Sequence, residues 1–103
     1  MRSVDGFSTR ADPGRATPPT YFVYVLQSTI GPRTYVGQTW NPEIRLAQHN
    51  EGKCRPTRHW RPWKLAHVEQ FASRAEAMRR ERFLKTGKGR EELKRIFASK
   101  SLE

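Results

Sequence analysis

Cysteine is almost absent from the chain. Cys54 stands alone, so neither an internal disulfide nor a zinc knuckle can be built from it. Long apolar runs are missing too: the longest, Tyr21 to Leu26, falls far short of the ~20 residues that a membrane-spanning helix needs. Residues 1–20 lack the apolar stretch of a signal peptide and mix Arg2, Asp5, Arg10, Asp12 and Arg15 with proline and glycine. The expectation is a cytoplasmic protein with no membrane partner. Acid is scarce relative to base, with 10 Asp and Glu against 20 Lys and Arg among 103 residues and a net charge of +10. A polyanion is therefore the expected partner. Phosphate is held by charge and counterion release, which makes nucleic acid the best fit; the plainer alternative is a basic structural protein of the ribosome.

The hydrophobic share of 35% suits one small domain. Residues 1–20 hold Pro13, Pro18 and Pro19 without apolar periodicity and are expected to form a disordered tail, followed by a domain over 21–98 and a short tail over 99–103. Tyr21 to Leu26 is rich in β-branched and aromatic residues on both parities, the pattern of a central strand covered on two faces. Ser28, Thr29, Gly31 and Pro32 predict a turn, and Thr34 to Gln38 a second, antiparallel strand. Setting Tyr24 opposite Tyr35 sends both phenols from one face of the sheet.

Asn41-Pro42 predicts a helix start, with the helix running to about Asn50. Ile44 and Ala47 are its expected apolar face, and Arg45 and His49 share a polar side. Pro56 and Pro62 predict an irregular basic loop over residues 53–64, in which Trp60 and Trp63 either stack on unpaired bases or cap the core. Leu65 to Phe71 alternates weakly as a third strand. Ser73 and Glu76 match a capping box opening a helix to Lys85, on which Ala77, Met78 and Leu84 share a sector with the acid Glu81. Thr86 to Gly89 is expected to break the helix, and Arg90 to Phe97 to form the last one, burying Leu93, Ile96 and Phe97.

Phosphodiester hydrolysis needs a water deprotonated for attack, a divalent ion on the phosphate and a cation for the developing charge. One inward carboxylate such as Glu81 suffices for Mg²⁺ when substrate phosphate and waters complete the octahedron. Arg45 can fork onto phosphate oxygens, and a phenol can act as base or relay if positive charge lowers its pKa.

Phe22-Val23-Tyr24, then Tyr35-Val36-Gly37 with the second Tyr eleven positions on, then Arg45, His49 and the helical Ala77-Met78-Arg79-Arg80-Glu81 segment, resemble the GIY-YIG nuclease domain. The similarity runs from about Tyr21 to Phe97, and the Lys85 to Arg90 segment is like that of the single-domain bacterial branch. Phe22, Val23 and Val36 depart from the name motif, and the Asn that follows the metal-binding helix in some members has no match around Thr86 to Arg90. The resemblance implies an α+β fold, a three-stranded antiparallel sheet flanked by helices, and DNA cleavage with one divalent metal, Mg²⁺ or Mn²⁺. By the same resemblance Tyr35 is base or proton relay, Tyr24 positions water or phosphate, Arg45 stabilises the transition state, Glu81 ligates the metal, and His49 stands near the attacking water.

Duplex or branched DNA is the expected substrate, with RNA left open as an alternative. Gly37, Lys53, Arg55, Arg58, Arg61, Lys64, Arg79, Arg80 and Arg82 are the candidate nucleic-acid contacts. With no recognition helix or finger apparent, backbone contacts predict low sequence specificity. The competing expectation is a nucleic-acid-binding module of the same fold that cleaves slowly or not at all.

Overall fold

The apolar run at Tyr21 becomes the middle strand of the sheet in the computed structural model, which describes residues 20–101. The expected N-terminal tail, Thr20 apart, lies outside the described residues. Strand β1 (Tyr21–Ser28) is flanked antiparallel by β2 (Thr34–Thr39) and β3 (Trp63–Phe71), in the order β2-β1-β3. Helices α1 (Pro42–Asn50), α2 (Arg74–Leu84) and α3 (Gly87–Ser101) complete the α+β fold with a short 3-10 helix at Arg55–Trp60. No helix among the described residues is long and apolar enough to cross a membrane.

Both faces of β1 are covered, as its unbroken apolar run requires. Val23, Val25 and Val36 pack with Ala77 and Leu84 of α2 and Leu93 of α3. On the opposite face Tyr24, Leu26 and Trp63 form a second core with Tyr35, Leu46, Trp60 and Leu65 against it.

The hairpin register differs from expectation by two residues: Tyr24 pairs with Gly37, and Tyr35 with Leu26. Space is the reason. A Cβ at Gly37 would lie 2.6 Å from the Tyr24 oxygen and 2.7 Å from its ring, so the phenol occupies room that only glycine leaves. Directly opposed phenols would have to share one Cβ separation of about 4.5–5.5 Å. A two-residue shift preserves parity, and both phenols still leave the same face. In β3 the register slips between Val25 and Leu26, leaving Ala66 as a bulge between His67, opposite Val25, and Leu65, opposite Leu26. The bulge flips Leu65 to the face away from His67, which is why the alternation is weak in sequence.

Helix α1 starts as expected, with Asn41 Oδ1 accepting from the amides of Glu43 and Ile44. It closes as a Schellman motif, with Gly52 at φ +82, its amide on the His49 carbonyl and the Lys53 amide on that of Gln48. Its buried side is not Ile44 and Ala47, which are exposed, but Leu46 and His49. Residues 53–64 are more regular than expected: Pro56 sits in the first turn of the 3-10 helix, where its missing N–H costs nothing. Trp63 opens β3 and is buried, its Nε1 donating to the Thr57 carbonyl and its amide to Asn50 Oδ1. That position removes it from any base-stacking role.

Ser73 caps α2 by accepting from the Glu76 amide. The break before α3 is shorter than expected: Thr86 Oγ1 caps the new helix by accepting from the Gly89 amide, so Gly87 to Gly89 are helical. Gly89 is needed because a Cβ there would stand 2.0 Å from the Phe83 carbonyl oxygen, whereas one at Gly87 meets nothing within 4 Å. Gly87→Ala should accordingly raise the melting temperature slightly, worth about 0.4–1 kcal/mol. Gly89→Ala should lower stability by about 1–3 kcal/mol, because the backbone clash outweighs the helix preference of alanine. Thermal melting of the two variants checks the contrast.

Candidate active site

β1 and β2 present Tyr24 and Tyr35 on the α1 side of the sheet, with ring centroids 6.3 Å apart. The His49 ring lies 5.8 Å from that of Tyr24 and 5.0 Å from that of Tyr35. His49 was expected on a polar helix side beside attacking water. In place of that polar side it is fully buried, because the last turn of α1 sets the ring against Tyr24 and Tyr35 of the sheet.

A chain of hydrogen bonds decides which ring nitrogen carries the proton. The Cys54 carbonyl can only accept, and it takes the Thr57 hydroxyl at 3.2 Å. The Thr57 oxygen then accepts from His49 Nδ1 at 2.7 Å, which leaves Nε2 bare to accept from the Tyr24 phenol at 2.9 Å. Burial, with the Arg45 charge adding to it, lowers the His49 pKa to about 4, so the ring is neutral near pH 7.

Arg45 is half-buried, its Nη1 donating to Gln48 Oε1 at 2.8 Å, and its charge acts on both phenols. Burial pushes the Tyr24 phenol well above its ordinary range, and the Tyr35 charge adds to that while Arg45 opposes it. Tyr35 is also raised by burial, but it is more open and Lys85 and Arg45 both pull it down. Tyr35 is thus the phenol with solvent access and two cations upon it.

Glu81 approaches from the α2 side. Its Oε1 accepts from Gln38 Nε2 of β2 at 3.1 Å and its Oε2 from Lys85 at 2.8 Å, leaving the side chain 21% exposed. The Lys85 ammonium also lies 6.0 Å from the centre of the Tyr35 ring. The acid on the apolar stripe of α2 therefore turns to the β2 edge, within electrostatic reach of Tyr35. The candidate residues Tyr24, Tyr35, Arg45, His49 and Glu81 gather around β2. Sequence reasoning missed Thr57, hidden among basic neighbours, and Gln38. It took Lys85 as the end of the helix and the start of the Lys85 to Arg90 segment.

The candidate nucleic-acid contacts separate into two kinds. Arg55, Lys64, Arg79 and Arg82 are exposed. Lys53 pairs with Glu51, and Arg58 and Arg61 each donate Nε to a main-chain carbonyl. Two do not fit the expectation. Gly37 is buried beneath Tyr24. Arg80 forks onto Glu69 at 2.7 and 2.9 Å and reaches Glu92, tying β3, α2 and α3 together. Burial alone would raise the Glu69 carboxyl, but the bonds from Arg80 and His67 outweigh it and hold the group below its usual range.

His49 gives the site a pH signature. A histidine near pH 6.5 when unfolded and about 4 when folded binds its proton mainly in the unfolded state between those values. Its stabilisation is therefore complete above pH 6.5 and lost as the pH falls toward 4, by roughly 3 kcal/mol in total. Denaturant melts of wild type and His49→Gln across that window should converge as the pH drops.

A family model described as the GIY-YIG catalytic domain matches residues 20–94. A UPF0213 protein of Staphylococcus haemolyticus is 40% identical over 77 residues, covering 74% of this chain and 93% of that protein. Structure-specific endonuclease subunit SLX1 of Podospora anserina is 42% identical over 72 residues, which cover 63% of this chain but only 21% of that protein. The solution structure of a UPF0213 protein of Bacillus halodurans aligns with 75% of this chain and 84% of its own, at 31% identity and a TM-score of 0.47. With the two phenols, Arg45 and Glu81 brought around one strand and the catalytic-domain model spanning sheet and helices, the chain belongs to the GIY-YIG nuclease family.

Proposed function

We propose that this protein is a divalent-metal-dependent endonuclease that hydrolyses DNA at the β2 edge with little sequence preference. The observation that carries the reading is the turn of Glu81 onto Gln38, beside Tyr35 and Lys85, instead of into solvent. The donor set suits a hard cation. Glu81 offers a single hard carboxylate, which suits an ion that keeps most of its shell for water and phosphate, and Lys85, which bonds its Oε2, would yield part of that bond to the ion. Held by Glu81, Mg²⁺ or Mn²⁺ would polarise the scissile phosphate as a Lewis acid.

The chain's own groups supply the rest. Tyr35 first passes its own phenolic proton to bulk water; as the phenolate it then takes the proton of the attacking water while the water oxygen bonds to phosphorus and the ester oxygen leaves with the electron pair of the broken bond, to be protonated from solvent. Burial opposes that phenolate, and the Lys85 and Arg45 charges favour it. Arg45 binds the non-bridging oxygens in this reading, where its bonds strengthen as charge builds. Tyr24 is not the base: its proton is committed to His49 in a buried chain, and it fixes the wall against which Arg45 and Tyr35 are set. Thr57 is a positioning residue that selects the His49 tautomer. Arg55, Arg79 and Arg82 meet phosphates along the duplex.

Plasmid nicking in Mg²⁺ or Mn²⁺, with a chelator control, tests the reading. Glu81→Gln should abolish metal-dependent nicking, and Arg45→Ala should cost about 10²–10³ in kcat. Identical traces from wild type and Glu81→Gln would overturn the nuclease and favour a binding module of the same fold.

Thr57→Val should lower kcat with KM nearly unchanged and move the proton between the His49 nitrogens in ¹⁵N spectra, while Thr57→Ser restores both. A wild-type tautomer in Thr57→Val would remove the positioning role.

A further inference from the structure

On the sheet face that carries Glu81, four residues further down β2, the hairpin turn and α3 enclose a groove of about 420 Å³. Arg33, Lys64, Arg90 and Lys94 rim it, Leu93 and Phe97 form part of its floor, and no acidic residue lines it. Several other cations of the molecule are already engaged. Arg45, Arg80 and Lys85 are bonded within the fold, and the Arg58 and Arg61 side chains around the neighbouring concavity have Nε on main-chain carbonyls. Lys64, Arg90 and Lys94 have no ion-pair or hydrogen-bond partner for their side chains among the described residues, and Arg33 lies 4.8 Å over the Trp60 ring. Three elements from distant parts of the sequence thus bring positive charge to one concavity, with buried Leu93 among its lining residues.

Size and direction select the occupant. A volume of this order is that of a small-ligand pocket, which accepts roughly a nucleotide's worth of chain and no duplex. Gln38, which bonds Glu81, and Thr34, which lines the groove, point from the same face of β2 and are separated by roughly 13 Å of strand at about 3.3 Å per residue. A backbone leaving Glu81 and following β2 reaches the groove within a few phosphates.

We propose that this groove binds the sugar–phosphate backbone of a single-stranded arm of the DNA substrate. The assignment of that arm to the strand being cut rests on the nuclease reading above. The protein is then a nuclease for branched or frayed DNA, with Arg90 and Lys94 as substrate-selecting residues.

The test is binding in chelator, so that no cleavage intervenes, of full-length protein to a blunt duplex, the same duplex with a single-stranded arm, and the arm alone, across a salt series. Arg90→Gln/Lys94→Gln should reduce the salt slope for the armed duplex and the free arm by roughly 1.4, two contacts at about 0.7 each, and leave the blunt-duplex affinity unchanged. Lys64→Gln, on a different element, should reduce it by roughly 0.7. Thermal melting of each variant should match wild type, since the three side chains are unpartnered. Equal losses on all three probes, or no change on any, overturn the proposal. Because cleavage is not read, absence of Mg²⁺-dependent nicking in wild type would overturn the nuclease while leaving the groove assignment standing, and unchanged slopes beside intact nicking would do the reverse.

Discussion

The contact on which the site depends is the buried Tyr24 phenol lying over Gly37 and donating to His49. Leaving such a hydroxyl without an acceptor would cost about 1–3 kcal/mol, so the ring and its partner are placed together or not at all. Fitting the ring above Gly37 sets the hairpin register, and the register sends Tyr35 from the same face two pairs away. Bonding to His49 clamps the end of α1 to the sheet, and one turn earlier on that helix stands Arg45. Thr57 and the Cys54 carbonyl complete the chain, so a segment that looks like a plain basic loop supplies the anchor for the ring.

Charge divides by neighbourhood. Arg80 between Glu69 and Glu92 is part of the frame joining β3 to α2 and α3, although it sits in a run of arginines that reads as a phosphate-binding face. Lys85 is shared between a carboxylate and a phenol ring. Among the described residues, Lys64, Arg90 and Lys94 of the groove beside α3 have neither kind of partner. A net charge of +10 announces a polyanionic ligand and says nothing of which cations are left to meet it.

Much of the frame was legible because it rests on local rules. The two-sided apolar run of β1, the Asn41-Pro42 start of α1 and the Ser73 cap of α2 each depend on residues within a few positions of one another, and each is formed. The misreadings share a different origin. The hairpin register turned on the volume missing at Gly37, the length of α3 on whether Thr86 caps it, the burial of His49 on where the last turn of α1 meets the sheet, and the phase of β3 on a single bulged residue. None of these is a property of a short window.

The sequence alone determined the chemistry available: two phenols on one strand parity, a guanidinium one helical turn before an imidazole, and an acid on an otherwise apolar stripe. Its similarity to one nuclease family followed from that order and spacing. Only the tertiary structure decided which of these groups meet, which proton each holds and which cations remain unneutralised. Those outcomes depend on distances between segments far apart in the chain, and packing sets such distances through volumes and hydrogen bonds that no local pattern contains.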